Sequence, residues 1–166
     1  MEDLARLLAI EGVRRTKAQY WYAVDTKDRA LLASLFTEDA LLDVRQDAAF
    51  AQAKVLPPPF PLDEPLDPGD PAVVGPGGAV IADWIVHVIE PLVTVHHGHA
   101  PVIDILDEDS ATAIWPLFDY IDNRAGNSLK GYGHYHERYR RAGDRWLIAE
   151  SRVTRLRLDG RHPLGG

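Results

Sequence analysis

The sequence predicts a single α+β domain in which helices cover one face of a curved antiparallel sheet. Three observations carry this. Apolar residues recur at helical spacing in the first third of the chain and again over 80–89, and from residue 92 onward they alternate or run as strands. Helices first and consecutive strands afterwards is the order of an α+β layer architecture. At 166 residues and 46% hydrophobic composition, one core is the natural outcome, so residues 1–166 are read as one domain.

The elements follow in order. Leu4, Leu7, Leu8, Ile10, Val13, Trp21 and Val24, with Arg14, Arg15 and Lys17 between them, give a first helix over 4–24. Asp25-Thr26-Lys27-Asp28 interrupts it, and Ala30 to Phe36 gives a short second helix, with Asp25 or Thr26 as its N-cap. Asp28, three residues after Asp25, resembles the far partner of a capping box. A strand is expected over 40–44. Eight prolines between Pro57 and Pro76 then exclude regular structure from about 56 to 78, which reads as one long loop. Val80, Ile81, Trp84, Ile85, Val88 and Ile89 form a helical stripe stopped by Pro91. Strands follow over 92–99, 102–106, 111–121, 131–141 and 145–158, the last four as an antiparallel meander. Pro116 inside the third of these five suggests an edge or a bulge. Such a fold leaves one cavity between helices and sheet.

Composition narrows the chemistry. There is no cysteine, so disulfides, thiolate metal sites and a cysteine nucleophile are excluded. The net charge of -7 is uneven: residues 1–119 carry 8 Lys/Arg against 20 Asp/Glu, and 120–166 carry 10 against 5. The late arginines fall mostly two apart, as on a solvated strand face, and the acidic total repels phosphate, which argues against nucleic acid. The chain opens Met1-Glu2-Asp3-Leu4 without a basic-then-apolar leader and contains no apolar run of about 18 residues, so a soluble cytoplasmic protein with no membrane partner is expected. Val74-Gly75-Pro76-Gly77-Gly78 lacks the G-x-G-x-x-G spacing and reads as linker.

Two segments hold candidate chemistry. In Thr94-Val95-His96-His97-Gly98-His99, strand alternation puts His96 on one face and His97 and His99 on the other. An imidazole oriented by a carboxylate is the natural proton carrier near neutral pH; the structural alternative is a satisfied polar residue. Asp25 can enter the cavity or merely cap the second helix. Tyr20, five residues earlier, is offset by about 140° around the helix, so both serve one pocket only if it wraps the helix end. Asp119 shares a strand face with Trp115 and Leu117, where a carboxylate needs a partner. His134 and His136, also two apart, leave open a metal site assembled with His97 and His99, if strand order brings the four together. Tyr132, Tyr135, Tyr139 and Trp146 read as core or interface.

Gln19-Tyr20-Trp21-Tyr22-Ala23-Val24-Asp25-Thr26-Lys27-Asp28 with Leu35-Phe36-Thr37-Glu38-Asp39-Ala40, then Thr94 to Ile103, then Gly133-His134-Tyr135-His136-Glu137-Arg138 with Gly143 to Ile148, appear in an order that resembles the SnoaL-like family of the nuclear transport factor 2-like superfamily, over roughly residues 8–157. The resemblance implies a cone-shaped α+β barrel, a homodimer, and cofactor-independent, metal-free lyase or isomerase chemistry on a small hydrophobic or cyclic molecule, as in the bile-acid and scytalone dehydratases and a dehydrochlorinase. It implies that Asp25 pairs with His96, that Tyr20 and Asp119 lie in the pocket, and that an arginine of the closing hairpin, matched to Arg152, joins them. The chain departs from the pattern at Ala100, where many relatives carry Asn, and in its long proline-rich loop. The same family contains binding modules without a reaction, so a non-catalytic, ligand-holding dimer is the alternative.

Overall fold

The computed structural model describes residues 2–46, 64–161 and 163. Along the chain run α1 (Asp3–Thr26), α2 (Arg29–Ala33), β1 (Phe36–Asp43), β2 (Val73–Val74), α3 (Gly78–Ile89), β3 (Val93–Gly98), β4 (Val102–Ile105), β5 (Ser110–Asp122), β6 (Ser128–Ala142) and β7 (Arg145–Gly160). The fold is α+β, as expected, with a curved sheet that stays open rather than closing into a full barrel. Its strand order is β2-β1-β7-β6-β5-β3, with β4 sharing the β5 edge with β3.

The meander β4-β5-β6-β7 is present, but β1 joins it in parallel with β7, from Leu41 opposite Glu150 to Asp43 opposite Arg152. The sheet is thus antiparallel apart from this one pair, and a parallel neighbour so far off in sequence leaves no hairpin signal. Alternation on β5 turns Ala111, Ala113, Trp115, Leu117 and Asp119 inward, where each is at most 3% exposed. Against this face α1 packs Ala9, Val13, Thr16, Lys17, Tyr20, Ala23 and Val24. Leu4, Leu7 and Leu8, which the helical pattern would bury, are exposed instead.

Pro116 lies inside β5 without making it an edge. Its strand is paired with β6 throughout, while on the other side β4 ends at Ile114 and β3 begins at Leu117. A residue's N–H and C=O in an antiparallel ladder point to the same neighbour. Because the Pro116 carbonyl accepts the His99 N–H at 3.1 Å, its missing N–H falls in the gap between β3 and β4, where no ladder bond is lost.

Two local expectations are revised. The cap of α2 is Asp28, whose carboxylate accepts the Leu31 N–H at 3.0 Å, and not Asp25 or Thr26. The helix α1 runs on through Thr26 and ends at Lys27 in the left-handed conformation, so Asp25 stays on α1 and is relieved of capping. In the loop expected over 56–78, Val73–Val74 pair with Leu42 and Asp43, and α3 starts at Gly78; the first part, up to 63, lies outside the described residues.

Candidate active site

Between α1, α3 and the inner face of the sheet lies a cavity of about 220 Å³. Its walls are mostly apolar: Trp84, Ile85, Val88 and Ile89 come from α3, and Ile121, Leu129, Val153 and Leu158 from the sheet. Besides the Trp84 indole N–H, six side chains with polar atoms break this lining, namely Tyr20, Thr94, His96, Asp119, Tyr135 and Arg155.

The Asp25–His96 pair forms where the end of α1 meets β3. His96 Nδ1 is 2.6 Å from Asp25 Oδ1, the His96 backbone N–H donates to Oδ2 at 2.8 Å, and the Thr94 hydroxyl donates to Oδ1 at 2.9 Å. Thr94 and His96, two apart, face inward together, whereas His97 turns outward onto Phe118, with ring centroids 6.1 Å apart. With Nδ1 engaged by the carboxylate, Nε2 is the ring nitrogen left for chemistry in the cavity. Burial pushes the Asp25 pKa up, but the hydrogen bonds and charge of His96, joined by the Thr94 donor, outweigh it and hold the carboxyl below its ordinary value.

The approach of α1 to β3 rests on a contact between Trp21 and Gly98. Trp21, one turn before Asp25, lays its ring over Gly98, two residues after His96, where a Cβ would overlap the indole. Gly98 therefore lets the helix sit close enough for the short carboxylate side chain of Asp25 to reach the strand.

Asp119 is the direct cross-strand partner of His96. It is 1% exposed, and its Oδ2 receives Arg155 Nη1 at 2.7 Å; Oδ1 is buried with no hydrogen-bond partner among the described residues. Gly131, opposite Asp119 on β6, supplies the room: a Cβ there would collide with the carboxylate and with Arg155 Nη1. Tyr20 meets the cavity with its ring edge-on to Phe36 and Tyr135, each at 6.0 Å.

The structure thus brings Tyr20, His96 and Asp119 to one cavity, with Asp25 held against His96 outside its lining, and does not bring Arg152. Arg152 lies on the opposite face of β7 from Val153, where its guanidinium bonds the Glu64 carbonyl and stands 3.6 Å from Glu150. Strand parity decides this: Arg155, two residues beyond Val153, points inward and takes the place assigned to Arg152. Nor do the four histidines converge. His97 is on β3 and His134 and His136 on β6, with β5 between them; His136 Nε2 lies 3.0 Å from the Thr154 hydroxyl, and no group of three metal-ligating side chains occurs among the described residues.

Tyr135, which reads from the sequence as core or interface, and Thr94 and Arg155, which the sequence does not single out, also line the cavity. Thr94 lies in the same motif as His96, and its even spacing from His96 was the available signal; for Tyr135 and Arg155 the register of β6 and β7 was needed. Below the cavity, Lys17 and Glu137 form a pair with no solvent exposure, Nζ to Oε1 2.6 Å, with the ammonium 3.4 Å from the Tyr135 ring centroid and 4.1 Å from that of Tyr20.

Comparison with solved structures gives the hexachlorocyclohexane dehydrochlorinase LinA-type3 of Novosphingobium barchaimii LL02, at 15% identity and TM-score 0.72 over 99% of this chain and 98% of that one. A protein of Novosphingobium aromaticivorans DSM 12444 assigned as a scytalone dehydratase aligns at 15% identity and TM-score 0.72 over 99% of both chains. A single-site variant of Rv3472 of Mycobacterium tuberculosis, a protein of unknown function, aligns at 18% identity and TM-score 0.68 over 92% of this chain and 74% of that one. A comparison with curated protein sequences finds no match. At these identities the solved structures establish the shared fold. The model of the SnoaL-like domain matches residues 5–152, nine-tenths of the length, and the chain belongs to that family.

Proposed function

We propose that the protein is a cofactor-independent lyase or isomerase acting on a small, uncharged, hydrophobic or cyclic molecule by His/Asp acid-base chemistry. The observation that carries this reading is the 2.6 Å Asp25–His96 pair, whose imidazole stands on the wall of a mostly apolar cavity. His96 Nε2 takes a proton from the carbon next to a carbonyl. The electron pair of that C–H bond forms the new double bond as the bond to a leaving hydroxyl breaks, and the hydroxide departs as water with a proton returned from the site. Asp25 holds the Nδ1–H and stabilises the imidazolium that forms. Asp119, with Arg155, and Tyr20 serve the oxygen on which charge develops. Each such contribution is worth roughly 10² to 10⁴ in rate. Without a leaving group, return of the proton to a different carbon gives isomerisation by the same residues. The working unit in this reading is a cytoplasmic homodimer that needs neither metal nor cofactor.

The test is turnover of a panel of cyclic β-hydroxy ketones, followed by the absorbance of the enone product, with the wild type, His96→Ala and Asp25→Asn. Turnover by the wild type and its loss in both folded variants is expected. Equal turnover by either variant would refute the assignment, and ligands retained tightly with unchanged mass would leave the cavity as a binding site.

A further inference from the structure

Asp25 is an awkward residue where it stands. It lies in the last turn of α1, at the negative end of the helix dipole, half-buried beside an apolar cavity; both circumstances favour the protonated carboxyl. What opposes them comes from one strand. Two of the three donors belong to His96, the residue Asp25 is proposed to serve, and only the Thr94 hydroxyl is independent of it.

We propose that Thr94 is a positioning residue of the acid-base pair: acting through Asp25, its hydroxyl fixes the carboxylate so that Oδ1 faces His96 Nδ1, and keeps it charged while the imidazole cycles between its two protonation states. The geometry requires a side chain that can donate from the inner face of β3 at the position two before His96. Thr94 is 5% exposed, lines the cavity, and gives its proton to the same Oδ1 that meets Nδ1. When His96 takes a substrate proton, Asp25 has to remain an acceptor; a third donor lowers its own affinity for that proton and spares it from depending on the ring alone. Among the described residues, His96 from β3 is the titratable side chain whose charge acts on Asp25, and Lys27 from the end of α1 is turned away, its ammonium donating to the Leu92 carbonyl at 2.7 Å. Valine keeps the shape and strand preference of threonine while removing the donor, so the role can be tested without emptying the site.

This role rests on the acid-base reading, and its test is chosen to need no substrate. The Asp25 carboxyl carbon is followed by NMR against pH in the ¹³C-aspartate-labelled full chain, assigned by its disappearance in Asp25→Asn. In Thr94→Val the half-titration point is expected to rise by about half a pH unit or more, the size of one lost hydrogen bond to a carboxylate. Thr94→Ser should restore it. An unchanged titration in Thr94→Val overturns the proposal, as does a Thr94→Ser protein that behaves like Thr94→Val, because the effect is then one of packing. If no substrate is ever turned over while the carboxyl moves as stated, the enzyme reading fails and the Thr94–Asp25 coupling stands; turnover with an unmoved carboxyl removes Thr94 alone.

Discussion

Lys17→Met takes away a cation that has no water around it. The Lys17 ammonium is tied to Glu137 Oε1 at 2.6 Å, and both side chains have zero exposure. Glu137 keeps two neutral donors, the Ser151 hydroxyl at 2.9 Å and the Tyr139 hydroxyl. Stranding one charge of a buried pair costs about 3–5 kcal/mol, whereas replacing both by apolar or neutral groups of similar volume is near neutral or stabilising. Lys17→Met alone should therefore lose about 3–5 kcal/mol of stability, a fall in Tm of roughly 10 °C in a chain of this size. Lys17→Met/Glu137→Gln should lie within about 1 kcal/mol of the wild type. Urea denaturation of the wild type, both single variants and the double variant closes the cycle and reads the coupling directly. A Lys17→Met cost below about 1 kcal/mol, or a double variant no more stable than the single one, would refute the reasoning. The pH dependence gives a second reading of the same pair. Burial brings the Lys17 pKa down from about 10.5 to about 8 against the pull of Glu137. Between those values the unfolded chain binds more protons than the folded one, so this group makes stability rise with pH, by at most about 1.4 kcal/mol per unit. The double variant should lack that rise. Tyr139, held well above 10 chiefly by burial and then by Glu137, acts in the opposite sense only above pH 10, where the unfolded phenol ionises first; pH 8–10 therefore isolates Lys17.

The acid side of the pH scale reports Asp25. Its pKa is depressed on folding, so the stability it contributes is present above the unfolded value near 3.8 and is lost as pH falls through the lower folded value; that part of the acid slope should vanish in Asp25→Asn denaturation curves. Gly131→Ala should destabilise by about 1–3 kcal/mol, because its methyl displaces Asp119 and Arg155 from each other, and should weaken any ligand held in the cavity, as read by calorimetry. Arg155→Met should strand a buried carboxylate at the cavity and abolish turnover of a substrate found by the panel, while Arg152→Met, on the outer face, should change turnover by less than about threefold; equal losses in the two would contradict the strand parity argued here.

Much of this protein was legible in the sequence because it follows from periodicity and punctuation. The spacing of Ile81, Trp84, Ile85, Val88 and Ile89 and the stop at Pro91 announced α3, and the period-two runs after residue 92 announced β3 to β7. Alternation also separated His96 from His97, since side-chain direction along a strand is local geometry. Residues that act in pairs across the chain were another matter. The parallel contact of β1 with β7, the placement of Arg155 rather than Arg152 beside Asp119, and the closing of Lys17 onto Glu137 over 120 residues of sequence all depend on register between strands and on how close a helix can come to a sheet. That closeness is set by what is missing at Gly98 and Gly131, where the absence of a side chain makes room for Trp21 and for the Asp119–Arg155 pair. Local periodicity determined which face each residue of β3 presents; only the tertiary structure decided that Asp25, freed from capping by Asp28, would meet His96 there, because a hydrogen bond of 2.6 Å between residues 71 positions apart is a property of packing and not of any one segment.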